Sequence, residues 1–249
     1  MRKKSLSPKN TGLFSSFMLR FLLPFPKGQT AWILPMDRDH KEGNMGYLPR
    51  ARREVFFSGI SREDRLVRAL DQMVEELGGV FSRLAPELAG TLLKEVEAAP
   101  RIFGCAVGRS GFILRGFLMR LMHFGFTVFV VGETITPRLQ PQDLLIVISG
   151  SGETAQPREV LRRANAVGAR TLAITADRNS TIAREADVVI HIPGTTKLTL
   201  KQEPDSVQCP GSLFEQACFL FLESIVLILY KERLDHNHQA MLARHADVE

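Results

Sequence analysis

The stretch Leu144 to Pro157, "LLIVISGSGETAQP", passes from five consecutive apolar residues to two glycines and three hydroxyl side chains. An unbroken apolar run predicts a strand covered on both faces, as in a parallel sheet. A helix is predicted over Pro157–Val167, so Ser149-Gly150-Ser151-Gly152-Glu153-Thr154 forms the corner between strand and helix. Ligands of open α/β sheets collect at such corners. Glycines let a backbone approach a ligand closely, and unpaired N–H groups at a helix start favour an anion. Ser149, Ser151 and Thr154 add neutral donors for phosphate oxygens. Taken alone, the same corner also suits a tight turn with a helix cap.

The pattern on either side of this stretch repeats it. Short apolar runs predict further strands at Ile102–Val107, Val128–Val131, Thr171–Thr175 and Val188–Ile192, with helices at Gly111–Phe124 and Thr181–Glu185. Strand and helix in alternation give a three-layer α-β-α sandwich around a five-stranded parallel sheet, with right-handed connections. Helical segments flank it: Ser61–Leu77, with an apolar stripe at Leu66, Leu70, Met73, Val74 and Leu77, then Leu84–Ala98, Ser212–Arg233 and a short terminal helix. A second corner, "AVGRSGF" (Ala106 to Phe112), brings Gly108, Arg109 and Ser110 to another strand end. Neither corner continues into Gly-Lys-Ser/Thr, and neither carries a Gly-x-Gly-x-x-Gly fingerprint with an acidic ribose partner. A single phosphate on a small molecule fits better than a nucleotide, and no cofactor is expected.

Composition narrows the classes further. The 249-residue chain has a net charge of +5, but residues 1–36 hold six Lys or Arg and no acid; setting those aside leaves 26 basic against 27 acidic residues. A near-neutral body has no basic stripe for nucleic acid. No apolar run reaches membrane-spanning length, since Glu223 and Ser224 interrupt Ala217–Tyr230. Cys105, Cys209 and Cys218 are odd in number and lack metal-ligand spacing, which fits a reducing cytoplasm and no metal. Residues 1–50 read as a poorly structured basic extension, or as an over-extended start with initiation at Met36 or Met45; residues 51–249 read as one domain.

The motifs "SGSGET", "GRSGFILRGFLMRLMHFGF" and "VVGETITP", with "ADRNSTIAREADVVIHIPGTTK", "GSLFEQ" and the terminal "RHADVE", resemble the sugar isomerase (SIS) domain family, of flavodoxin-like fold. Within it they resemble the 6-phospho-3-hexuloisomerase branch, from about Leu66 to the C-terminus. One departure is that Ala106-Val107-Gly108-Arg109-Ser110-Gly111 stands where the branch has Gly-Ala-Gly-Arg-Ser-Gly. The resemblance implies cofactor-free interconversion of D-arabino-hex-3-ulose 6-phosphate and D-fructose 6-phosphate through an enediol(ate). The setting would be formaldehyde fixation by the ribulose monophosphate pathway, with 3-hexulose-6-phosphate synthase as functional partner. It also implies a homo-oligomer, a tetramer or dimer. Other outcomes of the same resemblance are a non-catalytic sugar-phosphate sensor and a different SIS phosphosugar isomerase.

Moving a carbonyl one carbon along a sugar needs a base for the proton beside it and an acid for the neighbouring carbon; one carboxylate can serve both. By family match that base is Glu215. Ser212-Leu213-Phe214-Glu215 is equally a capping-box pattern. His245 is the second catalytic candidate, as proton shuttle or donor, acting within the chain or across a subunit boundary. Phosphate binding falls to Ser110, Ser149, Ser151 and Thr154. Gly108, Arg109, Gly150, Gly152 and Glu153 are possible substrate contacts, with Glu153 suited to a helix start. His123 is expected to pack or cap, and His236 and His238, two residues apart, to hold no metal. Lys197, like Arg109, either offsets phosphate charge or is simply solvated, the commoner fate of an isolated basic residue. The helix after Ser212 carries more apolar surface than one core needs, with Phe219, Leu220 and Leu227 as surplus for a subunit contact.

Overall fold

The computed structural model describes residue 59 and residues 61–194, 196 and 206–245. The basic leader, Lys197 and the last four residues of "RHADVE" lie outside the described residues. The described fold falls within one compact unit, Gly46–Glu249.

Helices α1 (Arg62–Phe81) and α2 (Glu87–Ala98) precede the alternating region. There follow β1 (Ile102–Cys105), α3 (Gly108–His123), β2 (Val128–Val130), β3 (Leu144–Ile148), α4 (Ala155–Val167), β4 (Arg170–Thr175), α5 (Thr181–Glu185) and β5 (Val188–His191). The chain closes with α6 (Ser212–Leu234) and α7 (His238–Leu242). The five strands run in the order β2-β1-β3-β4-β5, every neighbouring pair parallel.

Period-two alternation along the strands divides the core in two. Leu144, Ile146, Ile148, Leu172 and Ile174 face α1, α2, α3 and α6, packing with Leu114, Leu118, Phe214, Ala217 and Ile225. Phe103, Cys105, Leu145, Val147 and Ala173 face α4 and α5, meeting Leu161, Ala164 and Ile182. Every residue of β3 is therefore buried, as the unbroken apolar run requires.

Helix α6 is long and apolar enough to cross a membrane by length and composition, yet half of its most apolar window is buried inside the fold. Its packing against α1 and α3 accounts for that apolarity. In α1, Ser61 caps as expected, its Oγ accepting from the Asp64 N–H at 3.1 Å. The expected stripe, however, lies largely on the surface: Leu66, Leu70 and Val74 are exposed, while Glu76 and Val80 are buried. Helix α3 begins three residues before the sequence places it, because Gly108 takes φ +58° and lets the backbone turn directly from β1 into helix.

Candidate functional site

The chain leaves β1 toward β2 on one side and leaves β3 toward β4 on the other, so the crevice between β1 and β3 is the point where strand order reverses. Both glycine-serine corners open there. Helices α3 and α4 start with N-caps Val107 and Thr154, and neither makes a side-chain cap bond. The first-turn amides, Gly108 to Ser110 on one side and Ala155 and Gln156 on the other, have no intrahelical acceptor. Two positive helix ends thus share one crevice, which favours an anion.

The β3–α4 corner is fixed from below. Ser149 N–H donates to the Ile174 carbonyl at 3.0 Å and Ala176 N–H to the Gly150 carbonyl at 3.0 Å. Thr175 Oγ1 adds a second bond to Gly150 O at 3.1 Å. Ser149 is buried, and its hydroxyl accepts from Gly152 N–H at 3.1 Å while sharing a bond with Thr154 Oγ1 at 3.0 Å. Ser149 therefore shapes the loop, whereas Ser151, accepting from Glu153 N–H at 3.3 Å, and Ser110, whose hydroxyl has no partner among the described residues, keep donor capacity for a ligand. Gly152 has φ +63°, and an added Cβ would fall 1.9 Å from Ser180 Oγ. Only glycine fits, and Gly152 serves the loop's seating on β4 and α5. Glu153 turns away to that same neighbour: its Oε1 accepts from Thr181 N–H at 2.6 Å. This bond, with Arg158 and Arg184 adding attraction, holds its carboxyl below the usual range. It serves a helix start, as expected.

Two glycines bring α6 to this corner. An added Cβ on Gly150 would meet the Phe214 ring at 2.9 Å, and one on Gly194 would meet Phe214 Cα at 2.7 Å. The next residue is Glu215. Its carboxylate, on a side chain 17% exposed, accepts from Arg109 Nε of the other corner. The capping box is not formed: Gly211, at φ 90°, is the N-cap and makes no side-chain cap bond, while Ser212 lies inside the helix. The carboxylate lies near Gly211 without bonding the helix start, and its Oε2 is held by Arg109. Phe214 and Gly194 carry no signal in the sequence that marks them for this role; their contact joins segments about twenty residues apart.

His245 is not brought to Glu215 within the chain. It stacks on the buried His123, ring centroids 4.3 Å apart, and Arg244 Nη1 donates to the His123 carbonyl at 3.0 Å. His123 ends α3 and Arg109 lies in its first turn; at ~1.5 Å per residue the 16-residue helix spans roughly 24 Å. His245 also lines a cavity of about 340 Å³ with Arg120, Tyr230, His238 and Met241, away from both corners. His236 and His238 pack on Tyr230, which bonds the His236 carbonyl and His238 Nδ1.

The chain has clear relatives. The SIS domain model matches residues 95–205. The 3-hexulose-6-phosphate isomerase of Bacillus subtilis (strain 168) is 35% identical over 179 residues, 72% of this chain and 96% of that protein. The enzyme of the same name from Mycobacterium gastri is 36% identical over 75% of this chain and 92% of its own. A crystal structure from Methanococcus jannaschii, described as inferring 3-hexulose-6-phosphate isomerase function, superposes with a TM-score of 0.61 at 30% identity. It covers 73% of this chain and 99% of that one. The five-stranded parallel sheet, the two glycine-serine corners at its switch point and these relatives converge: the chain belongs to the SIS-domain family of phosphosugar isomerases, in the branch that holds the 3-hexulose-6-phosphate isomerases.

Proposed function

We propose that the protein converts D-arabino-hex-3-ulose 6-phosphate to D-fructose 6-phosphate. The observation that carries this reading is the meeting of Glu215 with the Arg109 corner, one residue past the Phe214 contact on the serine corner. A carboxylate and an anion cradle then flank one crevice. The phosphate binds the first-turn amides and the Ser110, Ser151 and Thr154 hydroxyls, anchoring the sugar away from the reacting carbons. Glu215 removes the C2 proton of the 3-ketose. The electron pair forms the C2=C3 bond of the enediolate, and the C3 carbonyl becomes the oxyanion. Glu215 then returns the proton to C3 as the C2 hydroxyl becomes the new carbonyl, its proton passing to the C3 oxygen. No electron acceptor or donor enters the balance.

His245, exposed and remote within its own chain, serves in this reading as a donor supplied by a second copy. The exposed Phe219, Leu220 and Leu227 of α6 and the stripe of α1 offer apolar surface for that association. The setting we infer is formaldehyde fixation beside 3-hexulose-6-phosphate synthase, in the cytoplasm. The direct test couples purified synthase, formaldehyde and ribulose 5-phosphate to this protein and reads fructose 6-phosphate. Turnover that falls ~10²–10⁴-fold in Glu215→Gln, with the fold intact, is expected for loss of a general base. Binding of the sugar phosphate without any turnover would point instead to a sensor.

A further inference from the structure

Glu76 takes no part in the site described above, yet it is 5% exposed. Buried Asp143 is gripped by Arg101; no Lys or Arg pairs with Glu76 among the described residues. Its partners are three donors from one short segment. Ser206 Oγ and Gln208 Nε2 donate to Oε2 at 2.6 and 2.9 Å, and Val207 N–H donates to Oε1 at 2.9 Å. Gln208 Oε1 is buried without a partner, so the bond to Glu76 is what orients that side chain. A carboxylate accepts only, which suits three converging donors; an amide would turn its own NH₂ against one of them.

This segment leads straight into α6. Only Cys209 and Pro210 separate Gln208 from Gly211, and proline restricts the backbone there. Ser212 N–H closes a turn on Cys209 O at 2.9 Å, and Glu215 N–H bonds Gly211 O at 3.0 Å. A short path held by these two backbone bonds therefore links Glu76 to the candidate base. Helix α1 buries this carboxyl while Leu66, Leu70 and Val74 face outward, and the burial is offset only as long as the 206–208 donors stay in place.

We propose that Glu76 is a positioning residue for Glu215, fixing the start of α6 so that the carboxylate reaches the substrate carbons. This rests on the isomerase reading. The test uses Glu76→Gln, which keeps the shape, and the pair Ser206→Ala with Gln208→Ala, which keeps the charge and removes two donors. Both should lower kcat about tenfold or more, as small misplacements of a reacting group do, with KM and fructose 6-phosphate affinity within about twofold of wild type. Deuterium exchange at Val207 and over 212–216 should quicken in both. Wild-type kcat in both, or a loss confined to melting temperature with exchange over 206–216 unchanged, overturns the proposal. If the wild-type protein has no isomerase activity, the functional reading fails. The exchange measurement on the same proteins still decides whether Glu76 fixes the helix start, and unchanged exchange overturns it.

Discussion

Replacing Gly194 by alanine tests how finely the approach of α6 is set. The added Cβ would stand 2.7 Å from Phe214 Cα and 2.8 Å from its N and Cβ. Carbon atoms rest at ~3.5–4.0 Å, so the two segments must separate by about 1 Å. The φ of Gly194 is not in the left-handed region, so the whole effect is steric. Two of the clashing atoms are backbone, and trimming the Phe214 ring would give no relief. Overpacking of this kind costs ~1–3 kcal/mol, or a drop of roughly 2–4 °C in Tm per kcal/mol for a domain of this size. The kinetic cost is larger in proportion, because a ~1 Å displacement of a reacting group lowers turnover about 10²-fold. The coupled assay should therefore show kcat down about a hundredfold. Affinity for fructose 6-phosphate, measured by calorimetry, should change little, since the serine corner hangs from β3 and β4. Wild-type kcat with unchanged Tm would refute the claim that this contact places the base.

Three further outcomes follow from other parts of the fold. Ser151→Ala should weaken fructose 6-phosphate binding by ~1 kcal/mol or more, whereas Ser149→Ala should also lower Tm because its hydroxyl braces the loop; unchanged affinity in calorimetry contradicts the cradle. Burial lowers the pKa of His123, helped by the charges of His245 and Arg120, and burial lowers that of His191. The unfolded chain then binds more protons below the ordinary histidine value of about 6.5, so stability should fall as pH drops from there and stay level above it. His123→Phe should flatten that slope in urea titrations, and an identical slope would remove His123 from the account. Under the proposed self-association, Leu227→Glu, on the exposed face of α6, should give a smaller mass than wild type by light scattering; equal masses refute association through that face.

The sheet was legible because burial writes itself into composition. Continuous apolar runs marked all five strands to within two residues, and the two glycine-serine corners showed where the chain turns into helices. What escaped was set by distant partners. Ser212 to Glu215 has the spacing of a capping box, but Gly211 already supplies the turn, which frees the carboxylate for Arg109. Nothing local distinguishes Glu76 from a solvated helix charge; only the returning 206–208 segment gives it meaning. The α1 stripe read correctly as helical, while its outward direction depends on which face α6 covers.

The pairing of Arg109 with Glu215 leaves the resting crevice with opposite charges that cancel, next to donors that are themselves neutral. Long-range attraction of a dianionic sugar is weak under those conditions, and capture depends on dipoles felt only at contact. Association should be correspondingly insensitive to ionic strength, because a screening cloud has little net field to dampen. An enzyme built this way would work alike in dilute and in concentrated electrolyte.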